Sequence, residues 1–207
     1  AKILEEGRRL VQLAEEKGAK LMVDHLERHN PAVRKMKEII DKGLLGKTLI
    51  VSTRGVGPFP LKVVDVGIVV DLATHDIDVV RYLYGKDPLK SHSKVGSIKH
   101  PFEDHALILL DFGEGAASIE VNWFTPHKVR TAVVTGTDGI AYMDYVKQSI
   151  VIYNSEWMME PKIENVEPLK AEISHFISCI KEDKEPLTSG EEGLRTLEVA
   201  YRCLGVG

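Results

Sequence analysis

The chain has 207 residues, with 27 basic and 31 acidic side chains and a formal charge of −4. At 43% hydrophobic and 28% charged it has an ordinary globular balance, which excludes disorder over most of its length. No apolar run approaches the roughly 20 residues of a membrane span. A mildly acidic chain also lacks the electrostatic footprint of a nucleic-acid binder.

From Lys2 to Lys17 apolar residues recur at helical spacing, and Gly18 supplies a stop. Lys20–Asp24 then reads as a short buried strand of the parallel type. Too few residues precede it to supply its sheet neighbours, and the chain opens without Met inside a helical pattern. The expectation is a remnant of a larger α/β unit. Asn30-Pro31 opens the next helix, with Asn as cap and Pro in the first turn. Thr48–Val56 is β-rich, and Gly55-Val56-Gly57-Pro58-Phe59-Pro60 predicts a loop. A helix follows from about Asp71 to Tyr84.

The middle of the chain predicts successive strands at Leu89–Ser97, His105–Phe112, Ala116–Phe124, Val129–Gly136, Ile140–Tyr145 and Ser149–Asn154. Short linkers, among them Thr125-Pro126-His127, imply antiparallel neighbours. Two helices, Pro168–Glu182 and Gly190–Leu204, close the chain. The fold class is α+β. We expect a mostly antiparallel open sheet of about six or seven strands with helices packed on one face, plus a helix–strand remnant. Ile119, Val121 and Trp123 alternate with Ser118, Glu120 and Asn122, and their apolar face is the expected contact with a second copy. Cys179 and Cys203 form no CxxC and read as reduced core residues of a cytoplasmic protein.

The chemistry concentrates in Asp71-Leu72-Ala73-Thr74-His75-Asp76-Ile77-Asp78. At about 100° per residue, Asp71, His75, Asp78 and Tyr82 fall on one stripe of a helix. A carboxylate at i and an imidazole at i+4 can hydrogen-bond, an arrangement suited to general acid/base work on an alcohol or carbonyl. The competing reading is an N-cap Asp beside an exposed polar face. A metal-dependent hydrolase on His75, His25 and Asp78 is a third alternative. His25-Leu26-Glu27-Arg28-His29-Asn30-Pro31 follows the short strand, where ligands lie in open α/β sheets, and Arg28 could grip a carboxylate or phosphate. There is no GxGxxG, P-loop, GxSxG or HExxH.

In order, Glu5-Glu6-Gly7-Arg8, Lys20–Val23, Arg28-His29-Asn30-Pro31-Ala32-Val33, Gly57-Pro58-Phe59-Pro60, Asp65-Val66-Gly67, Asp71-x-x-x-His75-Asp76-x-Asp78 and His100–His105 resemble the Gfo/Idh/MocA family of nicotinamide-dependent oxidoreductases. Nucleotide-sugar members are the closest likeness. The chain carries Ala73 where many members have glycine, and His29 where phenylalanine is usual.

The resemblance implies that residues 1–24 are the end of an N-terminal NAD(P)-binding Rossmann domain, whose catalytic Lys would lie just upstream of Ala1. Residues 25–207 would form the substrate-binding and oligomerisation domain. It further implies His75 as acid/base with Asp71 as helper, Arg28, Asn30 and Asp78 as substrate-binding residues, and His25 beside the cofactor. NAD or NADP is the implied cofactor and a sugar or nucleotide sugar the implied substrate. A homo-oligomer assembled through the sheet face is expected, with no metal. The chain alone is expected to be inactive. A non-catalytic oligomerisation module is the alternative.

Overall fold

A computed structural model describes residues 3–60 and 65–205. Helix α1 spans Leu4–Lys17 and ends at Gly18, whose φ of 61° lies in the left-handed region that glycine adopts freely. The start expected at Lys2 lies outside the described residues. None of the residues of α1 is buried. The strand expected over Lys20–Asp24 does not form as a ladder: Met22 makes a single antiparallel bridge, to Ser189.

A 3-10 turn at Leu26–His29 leads into α2, Pro31–Asp41. Asn30 caps α2 as its type predicts, its side chain accepting from the Ala32 N–H at 3.0 Å. The segment expected to be one helix from Asp71 has two parts. Val69–Ala73 is a π-helical turn, and α3 runs from Thr74 to Tyr84. A π turn breaks the 100° step, so Asp71 is rotated relative to its place on a regular helix.

The sheet has eight strands: β1 Thr48–Pro58, β2 Lys90–Gly96, β3 His105–Asp111, β4 Ala116–Asn122, β5 Phe124–Gly136, β6 Ile140–Asp144, β7 Ser149–Tyr153 and β8 Met158–Met159. Their order is β2-β3-β4-β1-β5-β6-β7-β8. Neighbouring pairs are antiparallel except one: β1 runs parallel to β4 while pairing antiparallel with β5.

Two expectations change with this insertion of β1. Thr125-Pro126-His127 is not a hairpin linker but part of β5. The chain crosses over β1 at Trp123, where the Asn122 side chain accepts from the Phe124 and Thr125 backbone N–H groups. β1 also runs through Gly57 to Pro58 instead of breaking at Gly55, because Val56 pairs with Val129 and Pro58 with Phe124.

Helices α2 and α3 and the last helix, α5 (Gly190–Cys203), cover one face of the sheet. Met36, Ile39, Ile77, Leu83, Val199 and Ala200 meet Val51, Ile108, Ile119, Val121, Val134 and Ile152 in one core. Helix α4, Pro168–Glu182, lies against the 3-10 turn. The assembly face must therefore be corrected: Ile119, Val121 and Trp123 are buried under the helices. The uncovered face carries Ile50, Leu107, Leu109, Tyr142 and Tyr153, each about half exposed. Both cysteines are buried and free. Among the described residues no helix is long and apolar enough to cross a membrane.

Candidate active site

Asp71 on the π turn and His75 in the first turn of α3 open into one cleft of about 340 Å³. Val23, Asp24 and His25 form another wall, and Thr196 and Leu197 of α5 a third. The direct hydrogen bond that a regular i, i+4 spacing allows is not made, as the π turn accounts for. Burial raises the Asp71 pKa, and the neighbouring His75 and Arg130 work against that rise.

His25 is buried, with both ring nitrogens unpartnered, and its ring stands edge-on to that of His75 at 6.3 Å between centroids. Its Nε2 is 3.8 Å from Asp78 Oδ1. Burial lowers its pKa more than Asp78 raises it, so the ring is neutral at physiological pH. A buried neutral imidazole with two unused nitrogens is a ready contact for a bound group.

The other expected residues lie elsewhere. Arg28 and Asp78 do not reach the cleft as free side chains. Arg28 is 4% and Asp78 0% exposed. Arg28 Nε donates to Asp78 Oδ2 at 2.8 Å and Nη2 to Asp78 Oδ1 at 2.7 Å, a bidentate pair, and Nη2 also donates to Glu192 at 2.7 Å. The guanidinium stacks 5.2 Å over the Tyr82 ring. Arg81 extends the knot to Thr196, Glu192 and Asp87. The side chain of Asn30 is likewise consumed, capping α2 and donating to Glu27 and the Tyr145 carbonyl. Arg28, Asn30 and Asp78, expected to bind substrate, thus make these hydrogen bonds inside the protein. Among the described residues, no three His, Cys, Asp or Glu side chains converge on a point that could hold a metal ion.

A second cavity, about 180 Å³, adjoins the other side of His75. Glu27, Asp76, Lys128, Arg130 and Tyr145 line it beside Leu72 and Val79. Burial pushes the Asp76 carboxyl up to about 7 against the opposing pull of Thr53 and Arg130. It pulls the Arg130 guanidinium down and drives the Tyr145 phenol well up. Sequence reasoning did not single out Arg130 or Tyr145. The signal for Arg130 was the strand period: Lys128 and Arg130 continue the inward face of Ala132 and Val134, where the pattern calls for apolar residues.

The family model of the GFO/IDH/MocA C-terminal domain matches residues 33–142. The chain belongs to the GFO/IDH/MocA family. Among curated relatives it is 25% identical to D-xylose 1-dehydrogenase [NADP(+)] of Haloarcula marismortui, over 97% of this chain and 62% of that protein. It is 28% identical to scyllo-inositol 2-dehydrogenase (NAD(+)) of Bacillus subtilis, over 95% of this chain and 63% of that protein. The chain therefore spans less than two thirds of the length of these relatives. The structure of UDP-N-acetylglucosamine 3-dehydrogenase GnnA from Acidithiobacillus ferrooxidans superposes with a TM-score of 0.87 at 21% identity, covering 98% of this chain and 66% of that one. At that identity the likeness establishes the fold.

Proposed function

We propose that this GFO/IDH/MocA chain is the substrate side of an NAD(P)-dependent dehydrogenase that oxidises a ring hydroxyl of a sugar or polyol. Residues 25–207 form the substrate-binding and assembly domain, and residues 1–24 continue from a cofactor-binding unit. The carrying observation is that Asp71 and His75 open into one cleft faced by the orphaned imidazole of His25. Two relatives named for xylose and inositol oxidation support the sugar or polyol substrate, one with NADP and one with NAD, so the coenzyme is either. The nucleotide-sugar likeness of GnnA supports a nucleotide-linked ring as the finer reading.

In this reading His75 takes the hydroxyl proton as the carbinol C–H leaves as hydride, giving a ketone. Asp71 stabilises the imidazolium that forms. His25 lies on the wall that meets the cofactor. The sequence holds no glycine-rich dinucleotide fingerprint, so this chain contributes only that wall. The nicotinamide, when bound, supplies the hydride acceptor.

In the native gene product that carries this sequence, His75→Asn should lower kcat by roughly 10²–10⁴ with KM little changed. The 207-residue chain alone should form no reduced nicotinamide at 340 nm. An unchanged kcat in the variant would refute the acid/base role.

A second copy on the uncovered sheet face is the proposed assembly. Its support is the half-exposed Ile50, Leu107, Leu109 and Tyr142 on that face. Leu109→Glu should halve the mass seen by light scattering, and Ile119→Glu should instead unfold the chain.

A further inference from the structure

The smaller cavity beside His75 contains more polar apparatus than the proton transfer uses. The Tyr145 hydroxyl is buried without a hydrogen-bond partner in a residue 5% exposed. A phenol in that state costs free energy until something bonds to it. Arg130 spends Nη1 on the carbonyls of Val56 and Val129, both at 2.9 Å. Among the described residues its Nε and Nη2 donate to nothing. Glu27 uses one oxygen on Asn30. Asp76 is given room by Gly55: a Cβ there would lie 2.5 Å from Asp76 Oδ2. The backbone thus keeps space for a carboxyl in the wall of a cavity.

The charges decide what such a cavity takes. Arg130 and Lys128 share the lining with Asp76 and Glu27, two basic side chains against two acidic ones, so a carboxylate or phosphate entering here would meet carboxyl groups already set against both cations. Hydroxyl groups, each donor and acceptor at once, match a wall that alternates donors with acceptors. At about 180 Å³ the cavity is below the roughly 300–1,000 Å³ of sites that enclose a whole drug-sized ligand. It therefore holds one ring or part of one, not a nucleotide.

We infer that Tyr145, Arg130 and Asp76 are specificity-determining residues that bind the remaining hydroxyls of a neutral ring whose reacting hydroxyl meets His75. The inference rests on the acid/base reading of His75 and adds the side of the ring that the enzyme reads. A site built to hydrogen-bond a hydroxyl discriminates strongly against analogues that lack it.

The test is binding of myo-inositol to the 207-residue chain by saturation-transfer NMR, with D-glucuronate as the acidic comparison. Tyr145→Phe and Arg130→Gln should each weaken myo-inositol about tenfold. Tyr145→Phe should also raise the Tm of the ligand-free chain by about 2–4 °C, because it removes an unpartnered buried hydroxyl, where a purely structural tyrosine would lower it. Unchanged binding in Tyr145→Phe, tighter binding of D-glucuronate than of myo-inositol, or no binding by the unaltered chain overturns the inference. Loss of binding in His75→Asn alone, with the cavity variants intact, fails the inference and leaves the acid/base reading standing. Weakened binding in the cavity variants, together with no NAD(P)-dependent oxidation by the native gene product, fails the acid/base reading and leaves the cavity assignment standing.

Discussion

Helix α3 presents two polar regions within one turn of each other, and they are built in opposite ways. Around Asp78 and Arg81 the hydrogen bonding is saturated: Asp78 accepts from Arg28 on both oxygens and from Thr196, and Arg81 from the same helix bonds Thr196 and Asp87. Around His75 and Asp76 it is left open, with the Tyr145 hydroxyl and both His25 nitrogens buried and unpartnered. Both regions are rich in charge and both look like sites in the sequence. Satisfaction separates them. A saturated knot fixes α3 against the 3-10 turn and α5, and an open one keeps capacity for a ligand.

The sharpest way to break this contrast is Asp78→Ala. Removing Asp78 takes the bidentate partner from the buried Arg28 cation and leaves it Glu192 alone, and should cost about 3 kcal/mol in urea unfolding. A cost under about 1 kcal/mol would mean that the knot is not structural. Next comes Asp76→Asn. Its folded pKa is raised from 3.8 to about 7, so its contribution to stability is fully present below pH 3.8 and lost as pH rises through about 7. The variant should therefore gain on the parent protein between about pH 4 and 7, by on the order of 3 kcal/mol. Glu172, raised to about 7 by burial and Asp24, titrates in the same window, but it is present in both proteins and cancels in the difference. A flat difference across that window would remove Asp76 from the buried wall. Gly55→Ala should displace the Asp76 carboxyl and weaken myo-inositol several-fold while leaving the Asp78 knot unmoved. Smallest is Arg54→Ala, which breaks the half-exposed pair with Glu120 at 3.0 Å on the uncovered face. Such pairs are worth about 0–1 kcal/mol, so this sets the scale against which the buried knot is read.

The parts of the fold set by local chemistry were legible in the sequence. Asn30-Pro31 announced α2, Gly18 and Gly85 ended their helices, and the alternation through β4 marked a strand. What escaped depended on residues far apart. The parallel insertion of β1 between β4 and β5 pairs segments more than 60 residues apart, and no local pattern encodes it. The bond from Arg28 to Asp78 spans 50 residues, so nothing local to Arg28 announced its buried partner. The Asp71–His75 spacing located the cleft, but its regular-helix geometry failed at the π turn. Arg130 was readable only as a polar residue on an inward strand position, and Tyr145 lies in the turn after β6, signals that gain meaning once the cavity they line is known.

The account depends on His75 standing between two cavities and meeting a ligand hydroxyl there. The histidine ring resonances of the 207-residue chain, followed during titration with myo-inositol, test that most directly. The predicted result is a saturable shift of the His75 ring while His29, packed 5.2 Å from His175 on the structural side, stays fixed. A His75 ring that does not respond at any concentration, or a His29 ring that responds in its place, would contradict it.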